Sequence, residues 1–587
     1  MKFWLFWLPP IFLFALVSSS CAVPSSNIRP TEIITVNSLK IDQINLDKAF
    51  YHPGETVHVQ LVLKSSVEKP SQVSIRMVVT HLAQNIHQED QTQTLDGHDL
   101  SVHFSYQPPE TSPAGYGIDF QVSTPQGTPL ATASTAFDVL NRWTQNPRYG
   151  FMVDFTPNRT GLADTMQILA RYHINGLQFY DWMYRHEQLL TDAEPYTDLW
   201  SNIPHSIKTI DAEIQAAHSF NIAAMPYTAV YGASMAFYQQ HPDWVLYDLA
   251  GKPVFFGGDM MAIMDPRPGS PWTIHLLDQF RQVMQKTAFD GIHLDQYGDP
   301  KVGYDAKGAS FDLAPVMADM INQTKAVVQK YRPGGAVVFN AVTNWPIETV
   351  APSDEDFVYI EVWSPYNWLS DLHFLITNAQ TLSHGKPVVL AAYIDPAFEN
   401  NARLMDAAIF ASGGSRIELG ENAGMLSDPY FPRYRPMSAS LSAAMQRYYD
   451  FMVRYENVIG PTTQDGTKDL QDQIQIDHVD TSPALVKDKV WPIVRQSEGK
   501  TAISLINLLG IPAPDWAKEI PEAPRALDQF KLTINAAGKH AGHLWLASPD
   551  KPDLSLQPLA FTQNGDTITV LVPGLQYWDM ILIEWSK

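Results

Sequence analysis

The chain has 587 residues, 45% of them hydrophobic and 17% charged, so it can bury large cores and is not a disordered segment. A formal net charge of −22 excludes a protein held to nucleic acid through a basic face, and no nucleic-acid partner is expected. The aromatic content of 11%, with 15 Trp, suits stacking on the apolar faces of sugars as well as ordinary core packing.

Residues 1–21 read as a signal peptide, with Lys2 ahead of an apolar run and then small residues. The alternative is an uncleaved anchor helix, which Pro9, Pro10 and the small residues disfavour. The only cysteine, Cys21, follows Ser18, Ser19 and Ser20 in a pattern that resembles a bacterial lipobox, with Ser18 where a Leu is usual. Cys21 is thus a candidate point of lipid attachment to a membrane, and the expected location is extracellular, periplasmic or surface-held. With no second cysteine, no internal disulfide is expected.

From 33 to 140, runs such as TVHVQLVLKSS and QVSIRMVVTHLA alternate apolar and polar residues between turn signals, which predicts an Ig-like β-sandwich. From 147 to 458, strands alternate with amphipathic helices, the mark of βα units. Eight strands are predicted, at 149–155, 176–182, 222–232, 291–298, 336–342, 357–363, 387–394 and 415–421. Eight crossovers close a (β/α)8 TIM barrel, and the turn after the first strand, Thr156 to Arg159, lacks the glycines of a dinucleotide-binding fold. The longest insertion, 233–271, predicts a small β excursion over the barrel mouth. Residues 462–587 return to strand-like runs and predict a C-terminal β-sandwich. A monomer is expected.

The chemistry is read from FDGIHLDQYGD and FVYIEVWSP, where a short apolar strand ends in Asp295 and another in Glu361. Carboxylates just past the C-terminal ends of barrel strands sit where such folds do their chemistry. Alternation puts Glu361 on one face with Phe357 and Tyr359, and Asp295 on one face with His293, so both acids point inward. Two inward carboxylates are what glycoside hydrolysis requires, although buried salt bridges or helix caps would use the same residues. Asp154 and Asp181, at the ends of strands one and two, either bind sugar hydroxyls or serve structure. Tyr184 and His186 follow in YDWMYRH. Tyr227, Tyr297 and Trp363 are candidate stacking platforms, as are Tyr231, Tyr366 and Trp368, and Asn340 is placed to hold a hydroxyl or orient a carboxylate. Glu418 reads as a third inward acid, with pairing to Arg416 or Arg403 the favoured role. The histidines show no metal-ligand spacing, no Gly-x-Ser-x-Gly elbow or P-loop is present, and no metal or cofactor is expected.

In this order, NPRYGFMVDFTPNRTG, GLQFYDWMYRHEQLL, FDGIHLDQYGD and VYIEVWSPY resemble glycoside hydrolase family 66, which contains dextranases and cycloisomaltooligosaccharide glucanotransferases. The resemblance implies a barrel between β domains and a retaining mechanism on α-1,6-glucan or isomaltooligosaccharides. By the same resemblance the nucleophile falls on Asp295 and the acid/base on Glu361. The cyclising members typically carry an extra carbohydrate-binding domain late in the barrel, and the stretch between strands seven and eight leaves no room for one, so hydrolysis is expected over cyclisation. A reading from another class is a glucan-binding surface protein that has lost catalysis; the presence of both Asp295 and Glu361 speaks against it.

Overall fold

The computed structural model describes residues 39–67, 70–199, 202–483 and 486–586. The signal-peptide reading of 1–21 and the lipidation reading of Cys21 lie outside these residues. Among the described residues, no helix is long and apolar enough to cross a membrane.

Eight parallel strands form the centre: Tyr149–Met152, Gly176–Phe179, Ala223–Ala229, Gly291–Asp295, Ala336–Val342, Val358–Glu361, Val388–Ala391 and Ser415–Arg416, hydrogen-bonded in that order. Phe151 pairs in parallel with Gly420, which joins the eighth strand's continuation to the first and closes the ring. A glycine is required there, because a Cβ on Gly420 would sit 2.3 Å from the carbonyl oxygen of Phe151. Alternation divides each strand between two cores. Tyr149, Phe151, Met225, Val338, Phe357, Tyr359 and Val389 fill the barrel, while Leu177, Phe179, Val337, Val358, Ile360 and Leu390 pack outward with the helices.

A helix follows every strand, from Leu162–Arg171 after the first to Ala439–Arg454 after the eighth. Several begin at serines whose side chains accept the backbone N–H three residues on: Ser206 from Thr209, Ser270 from Thr273 and Ser438 from Leu441. The fifth crossover has shrunk to one turn, Ile347–Val350.

On the N-terminal side, a three-stranded sheet (Leu39–Leu46, Val57–Ser65, Leu100–Tyr106) shares one core with a four-stranded sheet (Gln84–Leu95, Ser71–His81, Ala114–Ser123, Pro129–Val139). On the C-terminal side, a six-stranded sheet containing Val490–Ser497, Lys500–Asn507 and Trp578–Trp585 shares a second core with a four-stranded sheet built on Phe530–Asn535 and Thr567–Val572. The fold class read from the sequence, a TIM barrel flanked by two β-sandwiches, is borne out.

Both sandwiches dock on the eighth barrel helix. Arg454 is buried and donates to both oxygens of Asp119 at 2.7 Å. The approach is so close that a Cβ on Gly117 would lie 2.2 Å from the Arg454 guanidinium, and one on Gly115 would lie 2.1 Å from the carbonyl oxygen of Val453. From the other side, the Tyr448 hydroxyl donates to Asp550 at 2.9 Å and its ring packs edge-on against Trp578. Arg403, on the preceding helix, also donates to Asp550 and lies over the Tyr577 ring at 3.6 Å.

Candidate active site

The C-terminal end of the barrel opens into a cavity of about 1010 Å³. Its floor follows from the alternation that fills the barrel: the inward residue after the last packed layer of a strand faces the cavity. This gives Gln178 and Tyr180 from strand two, Tyr227 from strand three, Asp295 from four, Asn340 from five, Glu361 from six and Tyr393 from seven. Parallel register sets them side by side, with Ala229 opposite Asp295 and Val342 opposite Glu361.

Asp295 and Glu361 share a donor. The Asn340 side-chain amide donates to Asp295 Oδ1 at 2.8 Å and to Glu361 Oε2 at 3.0 Å. Those two oxygens are therefore no farther apart than both bonds end to end, about 6 Å, so the two carboxyls face each other across the shared amide. The Tyr227 hydroxyl donates to Asp295 Oδ2 at 2.6 Å, and the Tyr393 hydroxyl to Glu361 Oε1 at 2.8 Å. Burial pushes the Asp295 carboxyl up, the charge of Glu361 adds to this, and the bonds from Tyr227 and Asn340 oppose it, leaving it at about 7. Glu361 is also raised by burial, against donors from Asn340, Tyr393 and Trp363.

The other sequence candidates separate. Asp181 lines the cavity, and burial, with the charges of Asp198 and Asp295, raises it to about 8. His186 also lines it, lowered to about 4 by burial. Tyr297 and Trp363 form part of the wall. Asp154 does not reach the cavity, because strand one ends at Met152; its carboxylate instead accepts from Thr156 N at 3.1 Å and Oγ1 at 2.7 Å. Tyr184 lies outside as well, packed edge-on against Tyr196 beneath the Arg185 guanidinium. Glu418 points outward rather than inward. It pairs with Arg416 and accepts from Tyr449 at 2.9 Å, in a buried cluster with Asp406. Tyr231, Tyr366 and Trp368 are not part of the lining either.

Other lining residues lie beyond the sequence reading. Tyr393 has an available signal, since it continues the inward alternation of Val389 and Ala391. Phe431 carries none. It comes from the loop after strand eight and stacks on Tyr180 with ring centroids 4.4 Å apart. Phe256 and Met260 come from the excursion after strand three, a three-stranded antiparallel sheet of Gly232–Ser234, Met261–Ile263 and Phe255–Phe256. No cluster of three or more metal-ligating side chains occurs among the described residues.

A closed parallel barrel whose mouth holds two carboxylates on one shared amide is built for breaking glycosidic bonds. Comparison with known proteins makes the class specific. The Glycosyl hydrolase family 66 profile matches residues 46–582, and the chain belongs to that family. A cycloisomaltooligosaccharide glucanotransferase of Niallia circulans is 25% identical over 742 aligned positions, covering 99% of this chain and 76% of the relative. A dextranase of Streptococcus salivarius is 22% identical, covering 81% and 68%. A crystal structure of a Paenibacillus sp. cycloisomaltooligosaccharide glucanotransferase complexed with cycloisomaltoheptaose superimposes with a TM-score of 0.86 at 23% identity, covering 92% of this chain and 99% of that one.

Proposed function

We propose that this glycoside hydrolase cleaves α-1,6-glucosidic bonds of dextran-like glucan with retention of configuration, Asp295 acting as nucleophile and Glu361 as acid/base. The observation that carries the reading is the Asn340 amide bridging the two carboxylates. It brings one oxygen of each carboxyl within about 6 Å of the other, which supports the close spacing that retaining enzymes need. An Asp295 oxygen attacks the anomeric carbon while Glu361 delivers its proton to the departing glycosidic oxygen. In the second half, Glu361 takes a proton from water, the water oxygen bonds to the anomeric carbon and the ester to Asp295 breaks. Burial serves both steps by keeping one proton on the pair near neutral pH.

The substrate rests on the relatives, which are named for dextran and for cyclic isomaltooligosaccharides. Hydrolysis is favoured over cyclisation by an absence within the barrel. Between strands seven and eight, 392–414 hold one helix, Glu399–Ala411, and no added domain. Incubation with dextran, with products sized and their anomers followed by NMR, tests the reading. Linear isomaltooligosaccharides released first as the α-anomer are expected. First release of the β-anomer would overturn retention, and cyclic products would make the enzyme a transferase.

Tyr393 supplies a second test. Its hydroxyl stabilises the charged form of Glu361, so Tyr393→Phe is expected to raise the Glu361 carboxyl further. An acid that stays protonated to higher pH moves the basic limb of the kcat/KM profile upward, by about one unit. An unmoved limb would remove Glu361 from the role of acid.

A further inference from the structure

Phe256 sits at the lip of the cavity and is 40% exposed, whereas Glu361, on the floor, is 9% exposed. The Phe256 ring is not loose. It stacks on Tyr297 with centroids 4.2 Å apart and planes 24° from parallel. Tyr297 is fixed in turn: its backbone N–H donates to the Tyr231 hydroxyl at 2.9 Å, its ring meets Tyr231 edge-on, and its own hydroxyl lies 3.9 Å from Met261 Sδ. An exposed aromatic face on a rigid aromatic backing presents apolar area at little entropic cost. Isolated exposed aromatics are common and carry no message. Here, however, Met260, 50% exposed, also lines the cavity, so the excursion turns two apolar side chains toward the place where substrate enters. The loop that carries Tyr297 adds Asp299 and Lys301 to the same lining, a hydrogen-bond acceptor and a donor suited to ring hydroxyls.

We propose that Phe256 is a specificity-determining platform that stacks a glucosyl unit at the cavity lip, away from the bond being cleaved, and so makes turnover depend on chain length. Tyr297, read from the sequence as a platform, is on this view the backing of one, because Phe256 covers one of its faces. The inference rests on the glucan reading above and goes beyond it by dividing the binding surface. A unit at the lip is reached only by chains that extend beyond the carboxylate pair, so the platform strengthens long substrates over short ones.

The test is kcat/KM for wild type, Phe256→Ala and Phe256→Tyr on isomaltooligosaccharides of increasing length, with thermal unfolding of each variant as a check on folding. Phe256→Ala is expected to lower the ratio of kcat/KM on long chains to that on the shortest cleaved chain by about tenfold, mainly through KM. Phe256→Tyr, which keeps the ring, should restore it. An equal loss at every length, or no loss, would overturn the platform while leaving the glucan reading intact. Wild-type inactivity on every length would overturn the glucan reading, and the platform with it.

Discussion

Asp295→Asn is expected to abolish turnover and, at neutral pH, to make the protein more stable. The loss of activity should reach at least ~10³-fold in kcat, since an amide cannot form the glycosyl ester and Glu361 cannot replace the nucleophile while serving as the acid. The gain in stability follows from linkage. The Asp295 carboxyl is raised from 3.8 to about 7, so the folded protein binds this proton more tightly than the unfolded chain does. Stability is then complete below about pH 4 and falls as pH rises through the window up to about 7, by roughly 4 kcal/mol in all. Asparagine removes the charge and with it the penalty. Denaturant unfolding at pH 7 should therefore show Asp295→Asn as the more stable protein, and at pH 3.5 the two should coincide. A variant equally stable or weaker at pH 7 would mean that Asp295 is not held at such cost.

The opposite effect is expected at Arg416. Its guanidinium is buried between Asp406 and Glu418, within 2.9 Å of the first and in closer contact with the second, and it also donates to the Ala392 carbonyl. Arg416→Met keeps much of the volume but leaves two buried carboxylates without their cation, at a cost of about 3–5 kcal/mol. Burial already pushes the Asp406 carboxyl up against the pull of Arg416. Without the arginine the Asp406 carboxyl would lose the pull that opposes its burial and take up a proton, so the destabilisation should shrink as pH is lowered toward 5. Thermal unfolding at pH 7.5 and pH 5 checks this, and a loss independent of pH would point to packing rather than charge.

Much of the barrel is legible in the sequence because alternation and burial are local properties. All eight strands stand where the pattern puts them, and Ala336–Val342 matches to the residue. The errors lie at C-terminal ends: 149–155 stops at Met152, 291–298 at Asp295, and 415–421 keeps ladder pairing only over Ser415–Arg416. Past Asp295, Gln296 and Tyr297 line the cavity instead of meeting another strand, while past Met152 and Arg416 the chain stays apolar because Phe155 and Ile417 pack into the cores, and composition alone does not separate either case from a strand. The same confusion explains Asp154, which the pattern carries two residues beyond where strand one ends. Edge strands fail for the reverse reason. Gln84–Leu95 is largely polar, and Phe561–Asn564 lies at the end of its sheet, so neither shows clear alternation. Asp295, Glu361, Tyr227 and Asn340 converge as strand geometry requires. Phe431 reaches the cavity from the segment after strand eight and Phe256 from a two-residue strand of the excursion, and neither stretch is long enough for periodicity to announce it.

The eighth barrel helix has little free surface to give up. Its residues from Tyr448 to Arg454 are buried, with Arg454 held by one sandwich and Tyr448 by the other. The three parts of this chain are accordingly not interchangeable modules. Cutting away the first sandwich would strand a buried guanidinium in water beside a strip of backbone shaped for two glycines. Cutting away the second would uncover aromatic rings that now never meet solvent. A shortened, barrel-only catalyst would need that helix redesigned along both sides before anything at the mouth of the barrel was touched.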